Sequence, residues 1–242
     1  MTVTNTQSGT NVQEIAAGIY RISTPVMLPG DAAFSFNQYL VDDEEPLLFH
    51  TGLRQLFPLV AEAVASVMPV ARLRHVAFSH VEADECGALN QWLAAAPQAT
   101  PLCGTVAAMV SISDLADRPP HALADGEAIS LGRHRVRWFD TPHLPHAWEC
   151  GLLMEETTAT LFCGDLFTQP GSAPSALVEH DILGPSEAFR GAMDYFSHSI
   201  HAAALLEKLA RNNPTTLACM HGSAWRGDGA GLLRALSTEL AR

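Results

Sequence analysis

Ser79-His80-Val81-Glu82-Ala83-Asp84-Glu85-Cys86, preceded by the apolar run Arg74-His75-Val76-Ala77-Phe78 and followed by Gly87-Ala88-Leu89-Asn90-Gln91-Trp92-Leu93, is the stretch on which the reading of this chain turns. An imidazole and two carboxylates are packed into five residues. If the segment leaves a strand still extended, His80, Glu82 and Asp84 project to one side, and Val81 and Ala83 to the other. So much negative charge in a small volume is costly unless cations neutralise it. The charge pattern therefore points to a metal site. The same letters also suit a plainer role, in which Asp84 and Glu85 favour the start of a helix near Gly87, where the backbone dipole attracts acidic side chains. The rest of the chain has to supply the remaining ligands.

Upstream, Gly18–Ser23, Phe34–Val41 and Pro46–His50 read as short strands separated by acidic and Gly/Pro turns. A helical stripe of Leu56, Leu59, Val60, Ala63, Val64 and Val67 follows, and Arg72–Ser79 reads as a buried strand. Downstream come a helix over Gly87–Ala96, a strand at Thr100–Cys103 and a short helix near Thr105–Ile112. Strands at Ala128–Leu131 and Arg135–Phe139 then precede a hairpin of Gly151–Glu155 and Thr160–Cys163. One long helical region over Ser186–Arg211, a strand at Thr216–Met220 and an amphipathic helix at Leu232–Leu240 complete the expected order. Four of these strands deliver a His or Asp just past their ends: His80 with Glu82 and Asp84, then His146 in a loop that also carries His143, then Asp165, then His221. Such a rhythm suits loops converging at one sheet edge, where rigid strands hold the ligands. His198 and His201, one turn apart on the long helix, read as a polar helix face.

Composition limits the partners. The 242 residues contain no linker-like shift and read as a single domain, 1–242. A net charge of −12 argues against nucleic acid, which requires clustered Lys and Arg. No apolar stretch spans a bilayer, and the polar first ten residues lack a secretory pattern, so a soluble cytoplasmic protein is expected, with no membrane partner. Five cysteines, an odd number without a CxxC pair, fit free buried thiols.

His80-Val81-Glu82-Ala83-Asp84, with the later His, Asp and His, resembles the metallo-β-lactamase superfamily. Within it the chain is similar to the diiron domain of flavodiiron proteins and to the oxygen-binding diiron proteins, in which HxExD replaces the more general HxHxDH. The resemblance runs from the Phe36–Val41 strand to Met220-His221-Gly222. It implies an α/β fold, an αββα sandwich with a dinuclear metal site at the sheet edge. It further implies that His80, Glu82 and His146 hold one metal, Asp84 and His221 the other, and that Asp165 bridges them. His146 fits the family spacing to the Cys150-Gly151-Leu152 strand better than His143, which is left as a catalytic, pocket-lining or orienting candidate. Glu85 stands where the family usually has His, leaving the second metal with a carboxylate, a water or an open position. No flavodoxin-like domain follows, so an external redox or signalling protein is the expected partner, and a homodimer the expected assembly. Replacing an imidazole by Glu82 shifts preference from zinc toward iron or manganese; two Fe ions are expected, with two Zn or Mn ions as the alternative. The expected function is binding or reduction of O2 or NO, as reductase or sensor. The alternative is a dinuclear zinc hydrolase of an ester, lactone or thioester.

Overall fold

The stretches 37–41 and Leu47–Phe49 are buried on both faces, and the chain packs a layer against each. The computed structural model describes residues 1–27, 33–172 and 175–241. Strands β1 (Thr2–Asn5), β2 (Thr10–Ala16), β3 (Ile19–Met27), β4 (Ala33–Val41) and β5 (Leu47–Phe49) form an antiparallel meander. Strands β6 (His75–Ala77), β7 (Thr100–Gly104) and β8 (His121–Leu123) extend it in parallel. Parallel neighbours need crossovers, and helices supply them. The crossovers are α1 (Phe57–Ala65), the pair α2 (Ala83–Cys86) and α3 (Leu89–Ala95), and a composite of α4 (Thr105–Ala107), a π-helical turn (Ala108–Ile112) and α5 (Ser113–Leu115).

The second sheet contains β9 (Ala128–Ser130), β10 (Arg135–Asp140), β11 (Gly151–Glu155), β12 (Thr160–Phe162), β13 (Leu177–Val178), β14 (Thr216–Ala218) and β15 (Ala224–Arg226). Its spatial order is β13-β15-β14-β12-β11-β10-β9. Helices α6 (Leu183–Met193), α7 (Ala202–Ala210) and α8 (Gly229–Leu240) cover it.

Three apolar layers follow from this pattern. Ile22, Leu40, Leu48 and Val76 pack on Val60, Val64 and Trp92 of the first helix layer. From the opposite face, Tyr39, Val41, Phe49 and Ala77 meet Trp138, Leu153, Phe162 and Ala218 of the second sheet. That sheet's outer face, with Phe139, Leu152, Leu161 and Leu217, packs on Leu206, Leu209, Leu233 and Leu236. The architecture is an αββα sandwich, as the resemblance implies.

The structure departs from the sequence reading at several elements. The expected strand at Arg72–Ser79 shortens to His75–Ala77, because Val70–Arg72 is a 3-10 turn. The single helix expected over Ser186–Arg211 is two helices. The first ends on Asp194 in the left-handed region (φ 49°), and His198 (φ 52°) lies in the intervening loop with its ring 2.7 Å from Asp194 Oδ1. His201 precedes α7, so the two histidines do not share a helix face.

β10 and β11 approach closely at Gly151. A Cβ there would lie 2.1 Å from Trp138 Cζ2 and 2.9 Å from the Phe139 carbonyl oxygen, and the Trp138 ring is pinned by its hydrogen bond to Asp140 Oδ1 (2.7 Å). Overpacking of this kind is expected to make Gly151→Ala about 3 kcal/mol less stable than wild type in urea unfolding. A loss under about 0.5 kcal/mol would show that the indole can yield.

Candidate metal centre

Strands β6, β10, β12 and β14 hand over the loops that carry His80, His146, Asp165 and His221. Ser79 and His80 leave β6 in a bend, and Glu82 is extended (φ −132°, ψ 169°) as the residue before α2. The strand alternation expected through Asp84 stops there. Cys86 N–H bonds to Glu82 O (2.9 Å), closing the first turn, so Asp84 and Glu85 reach the site from a helix rather than from alternate sides of a strand. That turn carries Glu85 inward as well, and its side chain is fully buried. After β12, Gly164 (φ 50°) makes the turn that presents Asp165, and Met220 N–H bonds to Gly164 O (2.9 Å).

Two groups of side chains result. His80 Nε2 and His146 Nε2 are 2.9 Å apart, with Asp165 Oδ2 3.6 and 3.3 Å away and Glu82 Oε1 3.8 and 3.3 Å away respectively. His221 Nε2 lies 3.3 Å from Asp84 Oδ2 and 3.3 Å from Asp165 Oδ1. Asp165 thus turns one oxygen to each group. Glu85 joins both, within 4.8 Å of His80 and Glu82 on one side and of Asp84 and His221 on the other.

His221 is held across the sandwich. Its Nδ1–H donates to Ser35 O (2.8 Å), and its ring packs on Phe34 (4.3 Å) and Phe36 (5.3 Å). Its loop is gripped from the first sheet. Asn37 Nδ2 donates to Cys219 O (2.9 Å) and Gly222 O (2.8 Å), Tyr39 OH to Cys219 O (2.7 Å), and Arg21 Nη2 to Gly222 O (2.8 Å).

The electrostatics are those of a site organised around positive charge. Hydrogen bonds to His146 and His80 hold Glu82 down at about 2. Burial pushes Asp165 and Asp84 up, but their histidine partners outweigh it and hold both below the usual carboxylate range. Burial lowers His146 and His221, yet Asp165 with Glu82 or Asp84 prevails and lifts them to about 10 and about 9. Burial, reinforced by the charges of Asp165 and Asp84, pushes Glu85 well above its ordinary value.

Residues 34–222 match a family described as ODP family beta lactamase. The chain belongs to this family. Among its relatives is the anaerobic nitric oxide reductase flavorubredoxin of Pectobacterium atrosepticum, 26% identical over 211 residues, a match covering 82% of this chain and 40% of that protein. The rubredoxin-oxygen oxidoreductase of Megalodesulfovibrio gigas is 28% identical over 109 residues, 44% of this chain and 27% of its own length. The chain therefore spans about two fifths or less of these relatives. Its fold superimposes on rubredoxin oxygen:oxidoreductase from Desulfovibrio gigas with a TM-score of 0.80 at 20% identity, over 95% of this chain and 61% of the other. It also superimposes on the metal-soaked Flv1 flavodiiron core from Synechocystis sp. PCC6803, with a TM-score of 0.79 at 20% identity, over 96% and 60%.

In this ODP-family chain the donor set fits a metal pair. Neither oxygen of the buried Glu85 has a hydrogen-bond partner, and Asp165 Oδ1 also lacks one. Two imidazole nitrogens facing each other at 2.9 Å suit a common cation, because at most one proton can lie between them. Burying so many carboxylates is unfavourable without one.

His143 lies apart from this cluster. It is exposed, in a left-handed conformation (φ 62°), and lines a separate cleft with Pro145, Arg190 and Phe196. The pocket-lining or orienting role expected for it at the metals has no contact to support it. Tyr195, which packs against the apolar layer of the second sheet, is also a neighbour of the site. Its ring is 6.0 Å from that of His146, and its hydroxyl donates to Asp165 O (3.2 Å). Phe34, Phe189 and Tyr195 continue as an aromatic wall, with successive centroids 5.7 and 5.8 Å apart. Of the residues in the two groups, Glu82 alone is half exposed (side chain 51%), so the centre opens to solvent at Glu82.

Proposed function

We propose that the chain holds two iron ions and uses them to bind or reduce O2 or NO. His80, Glu82 and His146 hold the first ion, Asp84, His221 and Glu85 the second, and Asp165 bridges. The observation that carries this reading is the two-faced Asp165 between a group containing Glu82 and a group containing Glu85. Four carboxylates against three imidazoles make a hard, anionic donor set that balances two divalent cations and favours iron or manganese over zinc. The flavorubredoxin and oxygen-oxidoreductase names of the relatives point the same way.

Iron ions held by His80, Glu82, His146, Asp165, Asp84, His221 and Glu85 would supply the redox chemistry that these side chains lack. The chain's own contribution is positional. Hydrogen bonds from the first sheet fix His221, the turn at Gly164 fixes Asp165, and Phe34 and Tyr195 set apolar rings beside His221 and His146, which suits a small uncharged ligand. An external redox protein is the proposed donor, and the open side at Glu82 the route of approach for small molecules. Cys163 and Cys219 remain thiols at 3.7 Å, which supports the cytoplasm as the proposed compartment.

Protein made in iron-supplemented cells, reduced without oxygen and then given a measured pulse of O2 or NO, is expected to consume the gas stoichiometrically. Consumption becomes continuous when a chemical reductant is present. A two-zinc protein that iron does not displace during expression, and that hydrolyses lactones or thioesters in a manner abolished by His80→Ala, would overturn the assignment.

Loading is also expected to release protons. Their carboxylate partners lift His146 and His221 to about 10 and about 9, so both imidazoles carry a proton at pH 7 that they must give up to bind, and burial pushes Glu85 in the same direction. Apparent Zn2+ affinity should rise with pH from 6 toward 9, with heat in calorimetry that depends on the buffer. A flat pH profile would remove one or more of these residues from the ligand set.

A further inference from the structure

Beside the centre runs a line of buried polar contacts that neither the ligand pattern nor the relatives' names assign. Met220 Sδ lies 2.9 Å from His50 Nδ1, His50 Nε2 lies 3.0 Å from Ser79 Oγ, and Ser79 Oγ lies 2.9 Å from His80 Nδ1. His50 follows β5 in a left-handed conformation (φ 67°). Its backbone N–H bonds to Ala77 O (2.8 Å) and its ring stacks on Phe49 (4.3 Å). The imidazole is 1% exposed.

We propose that Met220, His50 and Ser79 form a directional relay that places the His80 proton on Nδ1 and thereby turns the Nε2 lone pair toward the metal. The inference rests on the reading of His80 as a metal ligand.

The direction of each hydrogen bond is forced by chemistry. A thioether sulfur has no proton to give, so His50 Nδ1 donates to Met220. His50 is neutral, since burial takes its pKa down to about 3. A neutral imidazole carries one N–H, already used at Nδ1, so its Nε2 accepts from the Ser79 hydroxyl. That hydroxyl has a single hydrogen and has now spent it, so it accepts from His80, whose Nδ1 must carry the proton. Gly164 leaves room for the hydroxyl: a Cβ on Gly164 would lie 3.1 Å from Ser79 Oγ. The arrangement agrees with the 2.9 Å contact between His80 Nε2 and His146 Nε2, where His146 can donate and His80 can accept. His50, Ser79 and Met220 are positioning residues. They orient a ligand and fix its tautomer, a task that supporting partners commonly perform at metal sites.

The test reads the tautomer directly, by 15N NMR of the histidine rings in full-length protein, metal-free and loaded with Zn2+. Wild type is expected to show His80 as the Nδ1–H form in both states. Ser79→Ala is expected to give a mixture containing the Nε2–H form, and Ser79→Thr to restore the wild-type pattern. Met220→Leu, two links away, is expected to shift His80 the same way as Ser79→Ala, because His50 is then free to move its proton to Nε2 and reverse the relay. Anaerobic Fe2+ titration of Ser79→Ala should show first-site affinity about 10- to 100-fold weaker. Wild-type His80 in the Nε2–H form, or a tautomer unmoved by both Ser79→Ala and Met220→Leu, overturns the relay. Tautomers that move as expected, with Fe2+ affinity unmoved in Ser79→Ala and in His80→Ala, overturn instead the assignment of His80 as a ligand.

Discussion

Asp165→Ala is expected to empty both metal positions at once, whereas loss of any other proposed ligand empties at most one. Each oxygen of Asp165 faces a different group, so the substitution removes a bond from each ion. It also removes the negative charge between two doubly charged cations, whose mutual repulsion at about 4 Å is on the order of 15 kcal/mol at an effective dielectric of about 20. Affinity at both positions should fall by more than the roughly 100-fold that loss of a supporting residue can produce. Metal analysis of desalted protein, with circular dichroism to confirm an intact fold, measures this. Retention of both metals would end the bridging assignment. Retention of one would show that the two groups bind independently.

Glu85→Gln separates stability from binding. The carboxyl is fully buried, nothing donates to it, and its pKa is pushed up by burial and by Asp165 and Asp84. A group whose folded pKa is raised keeps its proton in the folded state while the unfolded chain releases it. Wild-type metal-free protein therefore loses stability from this group as pH rises above about 4.5, by up to about 1.4 kcal/mol per pH unit until the folded value is reached. Gln carries no such dependence. The stability difference between variant and wild type without metal should grow in the variant's favour from pH 5 to pH 7, while the variant's second metal binds at least about tenfold more weakly. Denaturant unfolding at several pH values and a metal titration decide it. A variant that is less stable without metal at pH 7, or that binds both metals as tightly as wild type, would return Glu85 to a structural role.

Sequence periodicity was a good guide where apolar side chains alternate against two packed layers, as in β4, and where a strand ends on a single imidazole or carboxylate. It failed where tertiary contacts overrule local preference. β1 and β2 are short and partly polar, and they are stabilised by pairing rather than by their own pattern. The break between α6 and α7 carries no Gly or Pro, since Asp194 and His198 supply the left-handed conformations. The convergence of His80, Glu82, Asp84, His146, Asp165 and His221 was foreseeable from the recurrence of strand ends, whereas Glu85 came into question as a ligand only through the resemblance. The helical turn that delivers Asp84 and Glu85 was not foreseeable, because Glu82-Ala83-Asp84 reads equally well as extended chain. His50 gave no signal at all. It sits at the end of an apolar run, and its partners, Ser79 and Met220, are distant in sequence and individually unremarked.

The grip of Arg21, Asn37 and Tyr39 on the carbonyls around His221 joins residues made early in synthesis to residues made after β14. Until that grip closes, the second ion has no imidazole and Asp165 has nothing to bridge. The second position is therefore a product of long-range closure and not of any local stretch of chain. The complete donor set for a pair of ions is thus assembled only when the early strands and the late loop have met.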